Sequence, residues 1–193
     1  MKKLALALAL ATALLLNTLT PANALTDVKQ YDTGYFVPDQ ASVYSYPYYR
    51  WYGEDWSWQH TAIVGPFSTA SLFISAWDVD APYEIDNIYA KNNGTWTLLG
   101  SLNGNNDAWG YTTFNLDSSL FDDIANGLEV KIQIDAADEG WAVTLAKSVL
   151  TLDGGTLPNP EPGPAVPEPS TLLMLGAGLL GLGLARKRFA RVN

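Results

Sequence analysis

The chain contains no cysteine and a single histidine. The first absence removes disulfides, thiol nucleophiles and thiolate metal sites. The second limits imidazole metal sites and Ser-His-Asp arrangements to whatever His60 alone can serve. No Gly-x-Ser-x-Gly elbow and no phosphate-binding glycine loop is present. Cations are scarce as well: residues 25–165 carry 19 Asp and Glu against 5 Lys and Arg, a formal charge of −14, while the whole 193-residue chain stands at −9. Nucleic acid and anionic lipid both need clustered cations, so they are excluded as partners of this stretch. Cations, neutral sugars and basic proteins remain.

The missing positive charge sits at the two ends. Residues 1–24 begin with Lys2 and Lys3, continue with an apolar core over 4–16 and close on Ala22-Asn23-Ala24. This is the pattern of a secretory signal peptide cut after Ala24. No cysteine follows it, which excludes attachment through an N-terminal lipid. Near the other end, residues 166–191 read VPEPSTLLMLGAGLLGLGLARKRFAR. Pro167 and Pro169 keep the approach extended, because proline fixes φ and pushes its predecessor out of the helical region. An uncharged run over 171–185 follows, then Arg186, Lys187, Arg188 and Arg191. At about 1.5 Å per residue the run spans roughly 22 Å, short of a hydrocarbon core near 30 Å. A segment held only until processing tolerates that mismatch better than a permanent anchor does. Ala177, Gly181 and Ala185 recur every four residues, a spacing that permits close helix approach in a membrane. With basic clusters favouring the cytoplasmic side at both ends, the chain between them is expected outside.

The order Val-Pro-Glu-Pro-Ser, short glycine-leucine run, Arg-Lys-Arg resembles the PEP-CTERM sorting tail of bacterial envelope and exopolysaccharide-associated proteins. The resemblance covers about the last 25 residues. It implies recognition by a membrane-embedded exosortase-type processing enzyme, in a bacterium with a Gram-negative kind of envelope. It makes Pro167, Glu168 and Pro169 the recognition motif, 171–185 a transmembrane sorting helix, and Arg186, Lys187 and Arg188 the retention signal.

The stretch between the ends is expected to be one all-β domain over 25–153, a β-sandwich of jelly-roll-like kind, followed by a solvated Pro/Gly-rich linker over 154–165 that lifts it from its attachment point. Residues 25–40 include an early edge strand. Tyr44, Tyr46 and Tyr48 fall at period two, so on a strand they share a face, with Pro47 marking an edge or break. Leu72, Ile74 and Ala76 alternate with Phe73, Ser75 and Trp77 in a strand covered on both sides. Asn92-Asn93-Gly94 is a hairpin turn. Residues 120–125 form a helical turn capped by Ser118 or Ser119. Val130, Ile132 and Ile134 point inward, and Lys131, Gln133 and Asp135 outward. A long strand closes the domain over 140–152.

Two binding sites are candidates. Asp78, Asp80, Glu84 and Asp86 put four carboxylates into a loop that suits Ca²⁺, a hard cation taking several oxygen ligands, although their spacing matches no EF-hand. An aromatic stretch from Tyr44 to Trp58 offers rings that stack on pyranose faces, with Trp51, Trp56 and Trp58 the expected exposed members. No catalytic residue is assigned, no other cofactor is implied, and an enzyme is not expected. The sequence thus predicts an exported surface or extracellular-matrix protein with the inner membrane as an early partner and exopolysaccharide or biofilm as its setting, or, as the alternative, a carbohydrate-binding module for one glycan.

Overall fold

The computed structural model describes residues 25–137 and 139–162. The signal peptide, the last residues of the linker, the sorting motif, the apolar run and the basic cluster lie outside the described residues. Among those described, no helix is long and apolar enough to cross a membrane.

Among the described residues nine strands form two antiparallel sheets, with one short α-helix and three single 3₁₀ turns. They are β1 (Leu25–Lys29), β2 (Arg50–Trp51), β3 (Trp56–Gln59), β4 (Ala70–Trp77), β5 (Asn87–Asn92), β6 (Thr95–Ser101), β7 (Trp109–Leu116), β8 (Glu129–Gln133) and β9 (Ala142–Leu152); the helix α1 spans Phe121–Asn126. The first sheet has the order β1-β9-β4-β7, with β2 added to β9, and the second has the order β3-β8-β5-β6. The pairing nests from the outside in: β1 with β9, β3 with β8, β4 with β7, and β5 with β6. That is the double Greek-key order of a jelly roll. Side chains from both sheets meet in one apolar core, including Leu72 and Ile74 from β4, Ile88 from β5, Phe114 from β7, Val130 and Ile132 from β8, and Leu150 from β9.

Local chemistry sets the turns. Between β5 and β6, Asn93 and Gly94 both take positive φ, 48° and 84°, which a two-residue hairpin turn of this hand requires. The helical turn before α1 is capped by Asp117, whose carboxylate accepts the Ser119 N–H at 2.9 Å; the expected serine caps lie inside the turn instead. In β9 the register against β4 shifts where Ser75 faces Lys147 and Ala76 faces Leu145. The bulge at Ala146 keeps Leu145 on the core side with Leu150 and Leu152, and turns Lys147 to the outside.

Three expectations are corrected. Residues 44–48 form no strand: the N–H groups of Tyr48 and Tyr49 both return to the Ser45 carbonyl, and that of Ser45 returns to Ser42, so the segment closes into successive turns. Asp135 does not face solvent. Strand β8 ends at Gln133, the backbone leaves the alternation, and Asp135 is fully buried.

The third correction concerns the linker. Residues 154–162 do not stand off in solvent. Ser75, Tyr111 and Lys147 lie in one register row across β4, β7 and β9, on the outer face of the first sheet. The Tyr111 hydroxyl donates to the Pro158 carbonyl at 3.0 Å and the Ser75 hydroxyl to the Pro160 carbonyl at 2.6 Å. The Lys147 ammonium donates to the carbonyls of Asn159 and Glu161. The proline-rich segment therefore crosses the strands as a strap. Proline suits this, because a strap that uses only its carbonyl oxygens loses nothing by lacking N–H groups. Gly155 lets it start: a Cβ there would collide with the Thr26 hydroxyl.

Candidate functional site

Five aromatic rings gather at one end of the first sheet. Trp51 from β2 meets Tyr49 edge to face at 5.7 Å, and Tyr49 meets Tyr44 at 5.2 Å. Tyr44 meets Trp77 at the end of β4 at 6.3 Å, and Trp77 meets Trp109 at the start of β7 at 5.3 Å. These five rings form a continuous strip. Trp77 and Trp109 are register partners on the outer face of the first sheet, two residues along from the strap row. Tyr44 is 51% exposed and Trp51 49%, so these two members of the strip are about half open to solvent.

Carboxylates border it. The Asp78 carboxylate, itself buried, accepts the Asp107 N–H at 3.0 Å and the Tyr49 hydroxyl at 3.4 Å. Asp107 accepts the Tyr44 hydroxyl. Both aspartates adopt positive φ, 65° and 52°, a region that Asp enters more readily than most side chains. The two loops touch where Gly104 lies against Val79; a Cβ on Gly104 would come within 2.7 Å of the Val79 Cβ. Burial, with the negative charge of Asp78 next, pushes the Tyr49 hydroxyl up to about 12. Burial and then the charges of Asp78 and Asp107 raise the Asp80 carboxyl above its ordinary value.

Of the three tryptophans singled out in the sequence, the structure brings only Trp51 to the strip. Trp56 is half-buried and packs edge to face on Phe36 at 4.8 Å. Trp58 is 5% exposed and belongs to the core, which corrects the expectation that it faces solvent: on β3, inward positions alternate with the exposed Ser57 and Gln59. Trp77 and Trp109 were missed as partners because they lie far apart in sequence, and only the β4–β7 register joins them.

The four acidic residues considered for Ca²⁺ also separate. Asp78 serves the strip, and Asp80 lies at the loop surface. Glu84 and Asp86 sink beneath the loop, where they are joined by Asp135; all three are buried. Each has one oxygen held by backbone: Glu84 accepts the Asp80 N–H at 2.9 Å, Asp86 the Asp135 N–H at 2.9 Å, and Asp135 the N–H groups of Gly140 and Trp141 at 2.7 and 3.0 Å. The other oxygen of each carboxylate has no donor within reach. Burial and the neighbouring Asp86 charge hold the Glu84 carboxyl well above the ordinary range, and burial also raises Asp86. Of the three, Glu84 is the carboxyl that this environment pushes furthest toward holding a proton. Among the described residues no three His, Asp or Glu side chains are placed to hold a metal ion together.

His60 joins the two sheets. Its Nδ1 lies 2.7 Å from the Asp27 carboxylate on β1 and its Nε2 lies 2.8 Å from the Ser148 hydroxyl on β9. The order Asp-His-Ser is that of a nucleophile relay. However, His60 and Ser148 are both sealed in the interior, and the geometry is that of a polar staple.

The fold and the strip together define an all-β sandwich with an open aromatic end and a strapped C-terminal exit. Residues 165–188, directly beyond the strap, match the PEP-CTERM protein-sorting motif, as the residues themselves suggested. The tail is thus a PEP-CTERM sorting signal, which implies export, membrane anchoring of the C-terminal end before processing, and an exosortase as the processing enzyme. No curated protein matches the chain. Among solved structures, the chain is similar to the Tobacco streak virus coat protein at 13% identity, over 79% of this chain and 94% of that one, with a TM-score of 0.33. A structure of that coat protein's dimer gives 14%, 77%, 92% and 0.26. At those scores the likeness says nothing about role.

Proposed function

We propose that this is an exported, non-enzymatic protein of the cell surface or extracellular matrix, released from its signal peptide after Ala24, delivered through its sorting tail, and working by holding exopolysaccharide. The observation that carries the reading is the sorting motif placed immediately behind a domain with an open aromatic strip. Flat rings with carboxylates at their border suit pyranose faces and hydroxyls. In this reading Pro167, Glu168 and Pro169 are recognised, 171–185 spans the inner membrane until cleavage, and Arg186, Lys187 and Arg188 hold the tail at the cytoplasmic side.

The rival reading is a dedicated module for one glycan, and the exposure of Tyr44 and Trp51 favours it over a purely structural role. The test is retention of the mature protein on the matrix polysaccharide of the producing cells. Retention that is lost in Trp51→Ala, with an unchanged thermal midpoint, supports the reading. Retention that ignores Trp51 and Tyr44 removes the strip from it.

A further inference from the structure

We propose that the aromatic strip takes an amino-sugar polysaccharide carrying free ammonium groups. This rests on the polysaccharide reading above and names the sugar. Asp78, Asp80 and Asp107 share one rim, and each loop brings its carboxylate into the field of the others. Every cation of the body is engaged elsewhere. Lys29 lies on Asp27 and Thr61. Arg50 is held by the Glu54 carbonyl and lies over the Tyr35 ring. Lys91 pairs with Glu129. Lys131 lies over Tyr89 and Trp96, and Lys147 is spent on the strap. Among the described residues the rim is therefore a patch of like charge with no countercharge, in a stretch whose formal charge is −14.

A ligand cation relieves that repulsion, and it gains a second time from the ring faces, whose quadrupole attracts ammonium groups. A hexosamine unit supplies both parts: a flat apolar face for Tyr44 or Trp51, and a charged amine at the ring edge for Asp107 or Asp80. An N-acetylated unit keeps the face and loses the charge. A uronic acid polymer is repelled by the same rim.

The experiment uses the exported protein at its mature length, incubated with insoluble polyglucosamine, its fully N-acetylated form, and cellulose, at low and raised salt, with oligolysine as a soluble competitor. The expected result is at least tenfold stronger retention on polyglucosamine than on the acetylated polymer, weakened by salt. Asp107→Asn should cut that preference severalfold, and Trp51→Ala should weaken retention on every polymer. Circular dichroism on both variants confirms the native fold. Equal retention on the two hexosamine polymers overturns the amine proposal while leaving polysaccharide binding intact. Displacement by oligolysine at equal amine concentration also overturns it, since a basic peptide would then serve as well. Failure to bind any polymer, the cells' own matrix included, overturns the reading on which it rests.

Discussion

The ammonium of Lys147, on the outer face of β9, is capped by the backbone carbonyl of Glu161, a few residues ahead of the Pro-Glu-Pro motif. The contact ties the core of the sandwich to the segment that leads into the sorting tail. Burial lowers the Lys147 amine below its ordinary value, against the opposing charge of Glu161, and the strap carbonyls take up its protons there.

Lys147→Met is therefore expected to free residues 156–162. Hydrogen exchange across that segment should lose its protection and a protease should cut it faster, while global stability falls by about 1–3 kcal/mol, the scale of hydrogen bonds to a charged group. Unchanged protection would mean that the strap is held by other contacts.

Trp58 and Trp51 separate packing from binding. Trp58→Ala empties a core position and should cost about 3–5 kcal/mol. Trp51→Ala, at a half-exposed position, should cost well under 1 kcal/mol and act on polysaccharide retention. Chemical denaturation of the two variants, side by side, checks both.

His60 is the chain's one histidine, so its titration is free of overlap in a proton NMR spectrum. Burial lowers its folded pKa below 6.5. The unfolded chain then takes up a proton first as pH falls, and stability declines from about pH 6.5 downward until the folded value is passed. Burial alone would raise Asp27, but the hydrogen bond and charge of His60, the Thr61 N–H and Lys29 outweigh it, leaving its pKa lowered. Its contribution is present above the ordinary aspartate range and is lost as pH falls through the folded value. Both groups thus destabilise the fold in acid. His60→Ala, which leaves the buried Ser148 hydroxyl without its partner and removes one of those of Asp27, should cost about 3 kcal/mol.

Glu84 acts in the opposite direction. Its folded pKa is raised above the ordinary 4.5, so its contribution is complete below that value and is lost as pH climbs through the folded value. Glu84→Gln keeps a donor toward Asp86 and removes the charge. It should flatten the loss of thermal midpoint between pH 6 and 9. A wild-type midpoint that rises with millimolar Ca²⁺ across the same range would place an ion between Glu84 and Asp86 instead of a proton.

Strand alternation made much of the sandwich legible in the sequence. Leu72, Ile74 and Ala76 against Phe73, Ser75 and Trp77, and Val130 with Ile132, need only period two to be sorted onto faces. The Asn93-Gly94 turn was equally local. What escaped was long-range. Tyrosines 44, 46 and 48 have strand spacing, but with Pro47 among them and Ser45 accepting two N–H groups, turns win. Asp135 continues the alternation of β8 on paper, yet Asp86 captures its N–H from another loop. Lys147 gave a signal in retrospect: a lone cation in an otherwise uncharged strand needs a partner. The composition of the proline-rich segment suits a spacer, and only the row of donors across β9, β4 and β7 shows where its carbonyls go.

The most direct test of the account is the mass of the mature protein from cells with an active processing enzyme, beside that of Glu168→Ala. The account predicts that the wild-type chain begins at Leu25, retains the strap through Pro162 and ends near Pro169, without 171–193, while the Glu168→Ala chain keeps its tail. A wild-type protein that retains Asn193, or identical C-termini in the two proteins, would contradict it.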